Sequence, residues 1–122
     1  MSLDVYLTLK NPVRINKGKS YIDTEMVIQV YDANITHNLN KMAEAAGIYK
    51  ELWRPDEIGK TRAHEIIEAL EKGLADLKAR PDYYQQFNSP NGWGMYEHFV
   101  PFVEGYLNAC KEYPEACIEV SR

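Results

Sequence analysis

Cysteine is scarce in this chain. Only Cys110 and Cys117 occur, with no cysteine–histidine pair elsewhere to complete a metal motif. That spacing is not a zinc pattern, and both residues read as small apolar core positions. No apolar run approaches the roughly 18 residues that a membrane-spanning helix needs. The start, Met1-Ser2-Leu3-Asp4-Val5, has neither a basic segment nor a long apolar one. No secretory signal is therefore expected, and the reading is a cytoplasmic chain with reduced thiols. Seven glycines and six prolines are too few for a disordered or collagen-like protein. Positive charge is in deficit, with 14 Lys and Arg against 18 Asp and Glu and a net charge of −4. A nucleic-acid binder shows the opposite imbalance, so neither nucleic acid nor membrane is expected as a partner.

Several catalytic signatures are also missing. No Gly-Lys-Ser/Thr follows a glycine-rich loop, no dinucleotide fingerprint occurs, and no Gly-x-Ser-x-Gly is present. His64-Glu65 and Glu97-His98 each lack the second histidine of a helical zinc site. No cofactor and no metal are expected.

The 122 residues fit one domain, residues 1–122, with ordinary globular composition at 45% hydrophobic and 26% charged. Leu3, Val5, Leu7 and Leu9 alternate with Asp4, Tyr6, Thr8 and Lys10, the period of a half-buried strand that Asn11-Pro12 should end. Lys17-Gly18-Lys19-Ser20 reads as a polar turn. Met26-Val27-Ile28-Gln29-Val30-Tyr31 is nearly continuous in apolar residues, which predicts a central strand. Ile35, Leu39, Met42, Ala43 and Ala46 then follow helical spacing, with Asp32 or Asn34 as cap and Gly47 after the end. A second helix is expected after Thr61, with Ile66, Ile67, Leu70, Leu74 and Leu77 inward, and a third carries Phe99, Val103, Tyr106 and Cys110. Residues 117–121 alternate again. The order β-β-α-α-α-β predicts an α+β fold, a small, mostly antiparallel sheet covered by three helices, with the first and last strands in one sheet.

Three stretches can carry function. Asn34, Thr36, His37 and Asn38 crowd the expected start of helix one, and side chains of these types are poor helix formers. They serve either as caps or as a polar ligand site at a helix N-terminus. Asn88-Ser89-Pro90-Asn91-Gly92-Trp93-Gly94, with Tyr96, is the most turn-dense segment. Its glycines allow close backbone approach, Trp93 and Tyr96 offer flat stacking surface, and Asn91 offers an amide. The alternative is a tight turn whose Trp93 plugs the core. Arg54, in Trp53-Arg54-Pro55, can clamp an anion or sit in a surface ion pair.

The segments Ala33-Asn34-Ile35-Thr36-His37-Asn38-Leu39, Gly47-Ile48-Tyr49, Leu52-Trp53-Arg54-Pro55, Asn91-Gly92-Trp93-Gly94 with Tyr96, and Val120-Ser121-Arg122 together resemble a family of small uncharacterised proteins of phages and bacterial genomes. The resemblance spans most of the chain. It implies a phage-type accessory protein that binds a host component or signalling molecule, and it brings no residue roles.

The residues favour a non-enzymatic protein that binds a small polar, nucleotide-like ligand through Asn34, Thr36, His37, Asn38, Arg54, Asn91, Trp93 and Tyr96. The alternative is a protein–protein module that inhibits a host factor through exposed Tyr and Trp. A third reading, a small enzyme with His37 as general base, needs a polar partner within hydrogen-bond reach of that ring. Homo-oligomerisation fits all three, through an edge such as residues 13–16.

Overall fold

A computed structural model describes residues 2–122. Strand β1 (Ser2–Lys17) and strand β2 (Ser20–Thr36) form a long antiparallel hairpin, and β3 (Cys117–Ser121) pairs with β1 from Asp4 to Thr8. The sheet order is β2-β1-β3, so the two ends of the chain do share one antiparallel sheet. Between β2 and β3 lie α1 (Asn40–Ala45), α2 (Tyr49–Trp53), α3 (Ile67–Ala79), α4 (Pro81–Gln85) and α5 (Tyr96–Glu112). Single 3-10 turns precede α1, follow α2 and open α3. The α+β class and the antiparallel sheet hold. The two long helices are α3 and α5, and the others are short.

The core forms where period two meets period 3.6. Leu3, Val5 and Leu7 of β1 are fully buried against Leu70 and Leu77 of α3 and Phe99, Val103 and Tyr106 of α5, within one cluster. Gly73 lets α3 close on its neighbour, since a Cβ there would lie 2.6 Å from Ile48 Cγ2. Glu65 accepts hydrogen bonds from the Thr61 and Arg62 backbone N–H groups at 3.0 and 2.9 Å, closing the start of the second helical segment. The next two N–H groups, of Ala63 and His64, donate to the Ala116 and Pro114 carbonyls at 2.9 and 3.0 Å. Between α3 and α4, Arg80 pairs with Asp76, and the buried Tyr84 hydroxyl donates to the same carboxylate. The Arg80 guanidinium, with Tyr84, holds Asp76 below the usual carboxylate range. Burial, with Asp76 beside it, pushes the Tyr84 hydroxyl up to about 12.

Three expectations need correction. Pro12 does not end β1, which runs on to Lys17. Beyond Thr8 the strand has β2 on one side only, and a proline is tolerated where a strand has a free edge. Met26 to Tyr31 is not a central strand: β1 is central, β2 is an edge, and Met26, Val27 and Ile28 are all exposed. The run is apolar on both faces, since Val27 lies opposite Lys10 while Met26 and Ile28 lie on the other side, and a bulge extends it. Leu7 faces Tyr31 while Thr8 faces Gln29, so Val30 is an extra residue that reverses the alternation of β2. Finally, the helix expected from Ile35 begins later. The strand continues through Thr36, a 3-10 turn covers His37–Leu39, and α1 starts at Asn40. Asn34 is therefore a strand residue, donating to Asp4 Oδ1 across the ladder at 2.7 Å.

The two thiols differ. Cys110 is buried on α5, and burial pushes its thiol up to about 12. Cys117 is half-buried on β3, and its sulfur lies 3.4 Å from Arg62 Nη1. Iodoacetamide at pH 8 should alkylate Cys117 in the folded protein and Cys110 only after denaturation, read as one then two mass additions. Equal native rates would contradict the packing of α5.

Candidate functional site

Two segments about 50 residues apart in sequence meet at one end of the sheet. The first is the strand end and turn, residues 34–39. Thr36 caps the turn, its Oγ1 accepting the Asn38 backbone N–H at 3.3 Å. The second is the loop 88–95 that leads into α5. Asn91 Oδ1 accepts the Ser89 hydroxyl at 2.6 Å and the Trp93 backbone N–H at 2.9 Å. Ser89 N–H donates to the Gly94 carbonyl at 3.0 Å. Asn88 Oδ1 accepts the Tyr96 N–H at 2.7 Å, supplying a cap for α5 that Met95 cannot give. The loop is thus held by its own asparagines, as turn chemistry leads one to expect.

One bond joins the segments. Asn38 Nδ2 donates to the Trp93 carbonyl at 2.7 Å. The approach requires glycine at 94: its φ is +116°, and a Cβ there would lie 2.8 Å from Asn38 Cβ and 3.4 Å from Thr36 Cγ2.

The result is an open cleft of about 770 Å³, within the size range of small-molecule sites. Asn34, Thr36, His37, Asn38, Asn91 and Trp93 line it, so the structure brings together six of the eight residues singled out in the sequence. Ser2, Gly94 and His98 also line it. Ser2 pairs with Thr36 in the ladder, a neighbour that only strand pairing reveals. Trp93 does not plug the core: 70% of it is exposed. His37 packs edge-on against the buried Trp53, ring centroids 6.3 Å apart, and Trp53 stacks on Tyr49 at 5.5 Å. His37 Nε2 is buried with no hydrogen-bond partner, and no carboxylate bonds this ring among the described residues. The orienting partner that a His37 general base would need is not seen there.

Two expected site residues lie elsewhere. Tyr96 does not line the cleft; its hydroxyl donates to the Leu77 carbonyl at 2.7 Å and ties α5 to α3. Arg54 is also outside, in an ion pair with Glu57 at 2.9 Å and a bond to the Tyr49 hydroxyl at 3.3 Å. Both are drawn away by nearer partners. The cleft lining consequently holds no lysine or arginine, and Lys41 sits in a neighbouring depression beside His37 and Asn38.

The site's chemistry is that of a polar cleft without lysine or arginine, lined by amides, hydroxyls and two imidazoles, with an indole at its rim. Asparagine amides and a threonine hydroxyl give directional hydrogen bonds, and the indole gives stacking area. No family model, no curated protein and no solved structure matches the chain.

Proposed function

We propose that the chain is a non-enzymatic binding protein, of the phage-accessory type, whose cleft takes the flat polar ring of a small, nucleotide-like ligand or host signal. One observation carries this reading. A tryptophan is 70% exposed on a loop fixed by several internal hydrogen bonds, at the rim of the cleft. A large apolar side chain held rigidly toward solvent loses the benefit of burial, and it is well placed to stack on a planar ligand. A lining without lysine or arginine favours recognition of a heterocycle over capture of a polyphosphate.

The test is native mass spectrometry of the protein isolated from cells that carry its gene, followed by denaturation and analysis of released small molecules. A stoichiometric heterocyclic ligand is expected. Trp93→Ala should then bind it about 5- to 150-fold more weakly, since stacking of one base on an aromatic contributes about 1–3 kcal/mol. Its unfolding free energy in urea should stay within the range of ordinary surface substitutions, about 0.5 kcal/mol. Unchanged binding in Trp93→Ala refutes the stacking role. Nothing bound and nothing released would move the reading to the protein–protein alternative.

A further inference from the structure

The hairpin is longer than the sheet that supports it. β3 pairs only as far as Thr8, and from Lys10 to Gln29 every residue but Val13 is exposed. The ribbon is closed by Gly18-Lys19, glycine first with φ +62°, the pattern of a type II′ turn. Its two faces differ. Leu9 pairs with Ile28, Asn11 with Met26, Val13 with Thr24 and Ile15 with Ile22, so one face is largely apolar. It continues the alternation of the buried Leu3, Val5 and Leu7. The opposite face carries the Arg14–Asp23 ion pair at 2.8 Å, with Arg14 stacked over Tyr21. Of the eight large hydrophobic side chains exposed among the described residues, six are on this arm.

An isolated two-stranded ribbon is marginal in water, and a concentrated apolar patch marks an interface. We propose that the arm docks on a second copy of this chain, each arm lying on the body of the partner in a two-fold dimer. Charge and area both select this arrangement. Residues 9–30 carry a net of +2: Lys10 and Arg14 balance Asp23 and Glu25 on the face opposite the apolar one, so the excess sits on Lys17 and Lys19 at the tip. With −4 overall, the remaining body carries −6. Arm on body brings the two tip lysines to the acidic part of the chain, whereas arm on arm leaves them without an acidic partner on the apolar face.

The arm is nine residues of β1 long and two strands wide, roughly 30 by 10 Å, or on the order of 300 Å² of footprint. Two arms face to face would bury about 600 Å², short of the roughly 1,000 Å² of a specific interface. Reciprocal docking uses four such surfaces and reaches about 1,200 Å². This inference is independent of the cleft and of its ligand.

The experiment is sedimentation equilibrium of the whole chain at 10–100 μM, at low and high salt. The expected species has twice the 14.1 kDa chain mass and weakens as salt rises. Ile15→Glu with Ile22→Glu should sediment as a monomer and keep the wild-type circular dichroism, because both side chains are exposed. Should that variant fail to fold, Lys17→Glu with Lys19→Glu, at the solvent-exposed tip, should weaken the dimer at least tenfold. A wild-type monomer at 100 μM overturns the proposal, as does a dimer indifferent to the tip charges. A monomer that co-sediments with phosphatidylglycerol vesicles or retards duplex DNA overturns it in favour of an anionic surface as the arm's partner.

Discussion

Replacing Trp53 by alanine is expected to destabilise the protein by about 3–5 kcal/mol, the range for removing a buried aromatic. The indole is only 3% exposed. It stacks on Tyr49 and meets the edge of His37, so its loss opens a cavity with the core on one side and the cleft on the other. Against a total stability of about 5–15 kcal/mol this is a large share. The midpoint of thermal unfolding should fall by about 10–20 °C for a domain of this size. Trp53→Phe separates packing from hydrogen bonding. Trp53 Nε1 is buried without a partner, so phenylalanine removes an unsatisfied donor while keeping most of the ring. It should cost only about 1–2 kcal/mol and leave His37 in place. Urea denaturation of both variants checks the contrast. A loss below 1 kcal/mol in Trp53→Ala would mean that the His37–Trp53–Tyr49 stack does not support the site.

The contrast with Trp93 illustrates what a sequence conveys. Both tryptophans lie in short polar contexts, beside Arg54 in one case and between two glycines in the other. Nothing local says that the first is buried and the second exposed. Burial depends on which elements pack behind the residue, and that is a tertiary fact. The strands were legible where one face is buried, because period two records burial directly in Leu3, Val5 and Leu7. The stripes of α3 and α5 were legible for the same reason. The arm was not. Its alternation continues although nothing covers it, and Val27 on the other face together with the bulge at Val30 made β2 read as a continuous apolar run. The late start of α1 was hidden differently. Ile35 lies next to the end of a strand, Leu39 closes the turn and Met42 is on α1, yet all three belong to one core, so their spacing imitates a single helix.

The cleft was largely legible because its residues violate local rules. Asparagine, threonine and histidine cluster where a helix former would be expected, and two glycines flank a tryptophan. Such inconsistency marks a special site without saying what the special requirement is. Here part of it is structural. Asn38, Asn91 and Thr36 each commit one polar atom to holding the turn and the loop. Arg54 and Tyr96 have the right chemistry and the wrong neighbours, because Glu57, Tyr49 and Leu77 engage them first.

The junction between turn and loop should be the point where a single added methyl does most damage. Gly94→Ala is expected to cost about 2–6 kcal/mol, summing a strained backbone of about 1–3 kcal/mol with an overlap of similar size. The overlap is specific: the new Cβ would meet Asn38 Cβ at 2.8 Å and the Asn38 carbonyl carbon at 3.3 Å, and backbone cannot step aside as a flexible side chain can. Relief comes only by separating the segments, which stretches the Asn38–Trp93 bond and swings the indole off the cleft. Gly92→Ala is the matched comparison. Its φ of +79° carries backbone strain, yet nothing lies within 4 Å of the added Cβ. It should lose about 1 kcal/mol and keep the cleft. Acrylamide quenching of Trp93 fluorescence, read beside the denaturation midpoint, distinguishes the two. Equal losses would place the whole effect in the backbone strain of the loop. A larger loss in Gly94→Ala, with altered Trp93 exposure, ties the geometry of the cleft to the contact between residues 38 and 94.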